Sequence, residues 1–140
     1  MQRAMWFHWR ANPGDPAYNT GVAAMLHGAL DSAALRTAVA TLIARNPVLA
    51  SCYPDIDGAP QRQIASSSLD MVEEDLADGE GCEAAAIAAL QAPYDLAHGP
   101  LVRLRIVHCA PHRHLMVLGL HHIVTDGLSL HLMLQALPSL

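Results

Sequence analysis

The residue types best suited to chemistry lie together in Gly119-Leu120-His121-His122-Ile123-Val124-Thr125-Asp126-Gly127. Two adjacent histidines at the end of an apolar strand point to opposite faces, so one can look into a cleft while the other packs. Asp126 follows across a loop, where a carboxylate can hold local geometry, and Gly127 permits a tight turn into the next helix. The start of that helix aims backbone N–H groups and the positive end of its dipole at the same region. An unperturbed imidazole ionises near pH ~6.5, which suits proton transfer around neutrality. A base, an orienting carboxylate and an electropositive helix end therefore converge on one segment. An isolated His-His pair is more often structural than chemical, so its surroundings decide its meaning.

The elements that position this segment follow from breakers and periodicity. Met5, Trp6, Phe7 and Trp9 precede Asn12-Pro13-Gly14-Asp15-Pro16, which predicts a short helix and then a turn. Tyr18 to Leu26 predicts a strand closed by Gly28. Asp31 caps a helix from Ser32 to about Arg45, whose stripe Leu35, Val39, Leu42 and Ile43 faces a core before Asn46-Pro47 ends it. Val48 to Tyr53 and Gln61 to Ala65 read as a hairpin around Asp57-Gly58, whereas Ser66 to Glu80 suits no one element. Cys82 to Ala92 predicts a helix ended by Pro93. Leu101 to Val107 and Leu115 to Leu120 predict central hairpin strands around Ala110-Pro111-His112-Arg113. Leu130, Met133, Leu134 and Leu137 share one helical face. The expected fold is an α/β lobe of the α+β sandwich type, a mixed sheet with packed helices that carries His122 and Asp126 at one edge.

Composition narrows the function classes. The 140 residues are 52% hydrophobic and 15% charged, which excludes disorder as the main state. Net charge is -5, with eight arginines and no lysine, and aromatics are 4% of the chain. No basic stripe exists for a polyphosphate backbone, so no nucleic acid is expected as partner. No apolar run approaches the ~18 residues of a membrane span, and the start lacks a signal-peptide pattern, so no membrane association and a cytoplasmic location are expected. Cys52, Cys82 and Cys109 are irregularly spaced without CxxC, which predicts neither a disulfide framework nor a zinc ribbon and fits a reducing compartment. Both ends read as cut, and an apolar helix ending at Leu137 and Leu140 predicts self-association.

The segment carrying the two histidines fits the pattern HHxxxDG, and the chain resembles the condensation domain of nonribosomal peptide synthetases, in the chloramphenicol acetyltransferase-like superfamily. Gln2-Arg3-Ala4-Met5-Trp6-Phe7 with Pro16-Ala17-Tyr18-Asn19 resembles the family's opening motif. Leu30-Asp31 with Ala34-Leu35 and the helix to Arg45 resembles the stretch before its second motif. Ala92-Pro93-Tyr94-Asp95-Leu96 and Gly99-Pro100-Leu101-Val102-Arg103 are similar to its Pro-Phe-Asp-Leu and Pro-Leu-x-Arg stretch. The matches are ordered along all 140 residues, and residues 1–140 are identified with the N-terminal lobe, the C-terminal lobe being absent.

The resemblance implies attack of an acceptor aminoacyl amine on a donor acyl thioester, both carried on phosphopantetheine arms, with no tightly bound cofactor and no metal. The implied partners are donor and acceptor peptidyl carrier proteins, the second lobe and neighbouring synthetase domains. It assigns His122 as general base or positioner of the amine, Asp126 as a structural carboxylate and Gly127 as a turn near the thioester, with His121 beside them. The second motif departs from the family's Arg-His-Glu-x-Leu-Arg, reading Arg45-Asn46-Pro47-Val48-Leu49-Ala50. The charge partner of Asp126 is accordingly Arg45, Arg103 or an arginine of the absent lobe. Two other readings stay open: a noncatalytic structural or carrier-docking half, and an ester-forming acyltransferase. A zinc site from His112 and His114 has no supporting motif. Trp6, Phe7 and Trp9 suit lobe packing, Glu73-Glu74-Asp75 a solvated face, and Cys109 is a poor nucleophile candidate.

Overall fold

The structure, a computed structural model, describes residues 2–66, 68–76, 81–125, 131–132 and 134–135. The chain opens with helix α1 (Gln2–Ala11), which stops at the Pro13-Gly14 turn, and continues into strand β1 (Asn19–His27). Helix α2 (Ser32–Arg45) starts at Asp31, whose carboxylate accepts the Ala34 N–H at 3.0 Å. Its predicted stripe is the buried one: Val39, Leu42 and Ile43 are buried, and Leu35 packs against them from a half-exposed position.

The hairpin that follows is shorter than predicted. Pro47–Ala50 is a 3-10 turn rather than strand, because Pro47 fixes a turn-compatible φ and the chain straightens only at β2 (Ser51–Cys52). β3 (Asp55–Ile56) and β4 (Ala59–Pro60) flank Asp57-Gly58, which takes positive φ at both residues as a two-residue hairpin turn demands. β5 (Gln63–Ile64) then returns to β2. The segment without a predicted element supplies strand β6 (Asp70–Asp75), exposed along most of its length and therefore lacking a readable alternation. Helix α3 (Cys82–Gln91) joins it to β7 (Val102–Ala110), and β8 (Arg113–His121) completes the hairpin.

The main sheet has the order β1-β8-β7-β6. β8 pairs antiparallel with β1 and β7, while β6 lies parallel to β7, so the sheet is mixed. Parallel pairing needs a crossover, and α3 provides it. Alternation divides the two central strands between two cores. Leu104, Ile106, Met116, Leu118 and Leu120 pack with Met5, Trp6 and the α2 stripe, while Val107, Cys109, Leu115 and Val117 pack under α3. Leu134 reaches the larger core, and the described residues of the C-terminal segment are helical, as the spacing predicts.

The cysteines overturn an expectation. Cys82, at the start of α3, is bridged to Cys109, near the end of β7, with Cα atoms 6.4 Å apart, leaving Cys52 free and buried. Spacing hid this pair because the crossover, not sequence proximity, brings the two ends together. Among the described residues no helix is long and apolar enough to cross a membrane, and no group of three or more potential ligands could hold a metal ion.

Candidate active site

The end of β8 turns at once into a buried loop. His121 donates its N–H to the Leu101 carbonyl at 3.3 Å, and His122 donates its own to the Tyr18 carbonyl at 2.8 Å. Val124 N–H returns to the His121 carbonyl at 3.1 Å, closing a turn whose Ile123, Val124 and Thr125 are all buried. Helix α1 locks this turn from outside: Gln2 donates its amide N–H to the Ile123 carbonyl at 2.7 Å. Sequence reasoning did not single out Gln2, whose partner lies 121 residues away.

The two histidines differ in burial and in hydrogen-bond partners. His121 is 5% exposed, and its Nδ1 lies 3.0 Å from the Ile123 N–H. Because a backbone N–H only donates, Nδ1 must keep its lone pair, which puts the ring proton on Nε2. Burial, with the neighbouring His122 as a lesser cause, pushes the His121 pKa down to about 4, so the ring is neutral near pH ~7. His122 is only partly buried, and its Nδ1 lies 3.3 Å from the Thr125 carbonyl oxygen. A carbonyl only accepts, so Nδ1 carries the hydrogen and Nε2 the lone pair. His122 thus holds its base nitrogen on the side away from its anchor.

Beneath His121 lies a stack of rings. Tyr94 meets the His121 ring edge-on at 6.0 Å, and Tyr18 lies at 6.3 Å. The Arg103 guanidinium sits 4.1 Å from the Tyr94 ring centroid. Tyr94 can lie flat on the sheet because position 119 is glycine: a Cβ there would stand 2.9 Å from the Tyr94 hydroxyl. Burial raises the Tyr94 phenol to about 12, so it stays protonated.

Arg103 is the buried cation of this layer. It donates to the carbonyls of Ala89, Ala92 and Pro93 at 2.9, 3.0 and 2.9 Å, satisfying the end of α3 and complementing its dipole. Its Nε is buried and, among the described residues, has no hydrogen-bond partner, with an Asp70 carboxylate oxygen 3.6 Å away. Of the candidate partners for Asp126, Arg103 thus gives three of its donor bonds to carbonyls at the end of α3 and turns its Nε toward Asp70. Arg45 is exposed at the end of α2, and among the described residues no ion pair joins it to the His122 loop. Asp126 and Gly127 lie outside the described residues. The structure thus brings His121, His122 and, through Tyr94, Arg103 into one assembly, and leaves Arg45 apart.

Comparison with known proteins gives the family and the fold. The condensation-domain family matches residues 1–140. Tyrocidine synthase 2 of Brevibacillus parabrevis is 34% identical over 135 residues, which are 96% of this chain and 4% of that protein. Phosphinothricin tripeptide synthetase PhsB of Streptomyces viridochromogenes is 34% identical over 147 residues, 100% of this chain and 12% of its own length. Among solved structures, the starter condensation domain of rhizomide synthetase RzmA superposes with a TM-score of 0.84 at 26% identity, covering 97% of this chain and 36% of that one. The chain thus spans a small part of the synthetases it matches and about a third of the solved condensation domain. Its mixed sheet and packed helices are of the chloramphenicol acetyltransferase-like fold, and the chain belongs to the condensation-domain family of nonribosomal peptide synthetases.

Proposed function

We propose that residues 1–140 are the N-terminal lobe of a condensation domain that forms amide bonds between two carrier-bound substrates. In this reading the acceptor amine nitrogen attacks the donor thioester carbonyl, the C–N bond forms, the C–S bond breaks, and the donor carrier keeps a free thiol. The amine loses a proton in the process. The observation that carries the proposal is the His122 ring, anchored through Nδ1 to the Thr125 carbonyl so that Nε2 is the basic atom. That nitrogen either takes the amine proton or holds the amine by a hydrogen bond. General-base action contributes ~10²–10⁴-fold, and positioning of two tethered reactants contributes more.

Asp126 and Gly127 keep the structural and turn roles that the resemblance implies. Donor and acceptor carrier proteins with their phosphopantetheine arms are the proposed partners, together with a second lobe that completes the tunnel. A variant of the RzmA domain has been solved with C8-CoA, an acyl thioester, which fits this class of substrate. One lobe alone should hold neither arm in reacting geometry, and the face left uncovered should favour self-association.

The test is single-turnover transfer in a complete domain containing this lobe. His122→Ala should lower amide formation at least about tenfold while the variant stays folded. Unchanged transfer sinks the assignment. Hydroxyl acceptors used in place of amines distinguish an ester-forming enzyme, and carrier binding without transfer in the unaltered domain would leave only a docking role.

A further inference from the structure

At the end of the sheet opposite His122, a second pair of histidines is held in a continuous chain of contacts. Gly28, just past β1, offers its carbonyl oxygen to His114 Nε2 at 3.1 Å. His114 Nδ1 lies 2.7 Å from His108 Nδ1, and His108 Nε2 lies 2.5 Å from a Glu73 carboxylate oxygen. The two rings are 4.8 Å apart and nearly perpendicular. The Glu73 carboxyl is held below its ordinary range, by His108 first and then by Ser32 at the start of α2, so it is a carboxylate and only accepts.

Counting hydrogens decides what this arrangement contains. The Gly28 carbonyl only accepts, so His114 Nε2 carries a hydrogen, and the Glu73 carboxylate likewise requires a hydrogen on His108 Nε2. The contact between the two Nδ1 atoms needs a third. Two neutral imidazoles supply one N–H each. We infer that His108 and His114 bind one additional proton between them, forming a shared imidazolium paired with Glu73 that ties all four strands of the sheet together.

The spacing favours a proton over a metal. Zinc bonded to both nitrogens at ~2.0–2.1 Å with tetrahedral angles would hold them about 3.4 Å apart, wider than the 2.7 Å seen. The fold places the charge where it can be kept. His108 stands opposite His114 in the β7–β8 register and opposite Asp75 in the β6–β7 register, so a second carboxylate borders the pair. His112 lies in the adjoining turn, and Arg113, the first residue of β8, faces His27 of β1 across the ladder. Cys109 beside His108 is bridged and does not titrate. Loss of the proton sets two lone pairs against each other at 2.7 Å and breaks one of the three bonds.

The network keeps all three of its bonds only while the additional proton is held, so whatever removes that proton costs the fold one bond. The experiment compares urea unfolding of the 140-residue chain and its His114→Phe variant between about pH 5.5 and 8.5, with long-range ¹H–¹⁵N spectra of the ring nitrogens in the unaltered chain. Over the window in which the proton is lost, the unfolding constant of the unaltered chain should rise by up to about tenfold per pH unit relative to the variant. The spectra should show three protonated nitrogens on the two rings at low pH and two at high pH, lost in one coupled step. Equal pH slopes with one N–H per ring throughout overturn the inference. So does stabilisation by added zinc with no third protonated nitrogen in chelator, since the shared cation would then be a metal. Should His114→Phe not fold, the ring spectra alone decide.

Discussion

His121 offers a sharp test of the site because its neutrality is built into the structure. Its Nδ1 must keep a lone pair for the Ile123 N–H, and burial holds its pKa at about 4, whereas an imidazole in the unfolded chain titrates near ~6.5. Below that value the unfolded chain takes up a proton that the folded chain refuses. The stabilisation is therefore complete above about pH 6.5 and is lost as pH falls toward 4. Two and a half units of separation correspond to roughly 3 kcal/mol, of which about 2.5 kcal/mol should be gone at pH ~4.5. His121→Asn isolates this effect, because an asparagine carbonyl can accept the Ile123 N–H but cannot titrate. Urea unfolding of both proteins at pH ~7 and ~4.5 gives two stability differences in which all other ionisable groups cancel. The advantage of the unaltered chain over the variant should shrink by about 2.5 kcal/mol between them. A change below roughly 0.5 kcal/mol would refute the claim that His121 is held neutral by burial.

Removing Arg103 should be costly, since its guanidinium satisfies three carbonyls at the end of α3 and packs on Tyr94. Arg103→Ala should lower unfolding free energy by about 3–5 kcal/mol, with a similar loss in an Asp126→Asn background; a double-mutant cycle with strong coupling to Asp126 would show that its donors serve the loop instead. Reducing the Cys82–Cys109 bridge, which spans 27 residues, should lower stability by roughly 3 kcal/mol, measured by chemical denaturation with and without reductant.

What could be read from the sequence was whatever depends on local signals. Asp31, the Asn46-Pro47 stop, the Asp57-Gly58 turn and the two central strands each carry their cause within a few residues. That the two adjacent rings differ in burial was also readable, whereas which of them does chemistry came only from the family resemblance. Four features were not readable. β6 is a half-exposed edge strand in parallel pairing, so neither alternation nor a hairpin turn marks it. The Cys82–Cys109 bridge depends on where the α3 crossover lands. Arg103 was visible as a motif residue, but its role was hidden because its partners are backbone carbonyls, which no side-chain pattern announces. Gln2 was missed for the same reason.

β8 carries the two histidine sites at its opposite ends, and they differ in what their neighbours ask of the ring. His114 belongs to a network with three bonds for two rings, one hydrogen more than two neutral rings supply. His121 sits among Tyr18, Tyr94 and a backbone N–H that demands its lone pair, so acid works against it. The difference lies in what surrounds each ring rather than in depth alone, since His114 at 6% exposure is almost as buried as His121 at 5%. A carboxylate within reach through His108 makes the charged form affordable at one end, and the absence of any acidic contact to His121 among the described residues denies it at the other. The same reasoning supports the role proposed for His122, next in the chain. It is partly open to water, and its anchor is a carbonyl acceptor rather than an N–H donor, so its remaining nitrogen can gain and release a proton without breaking a bond that holds the loop.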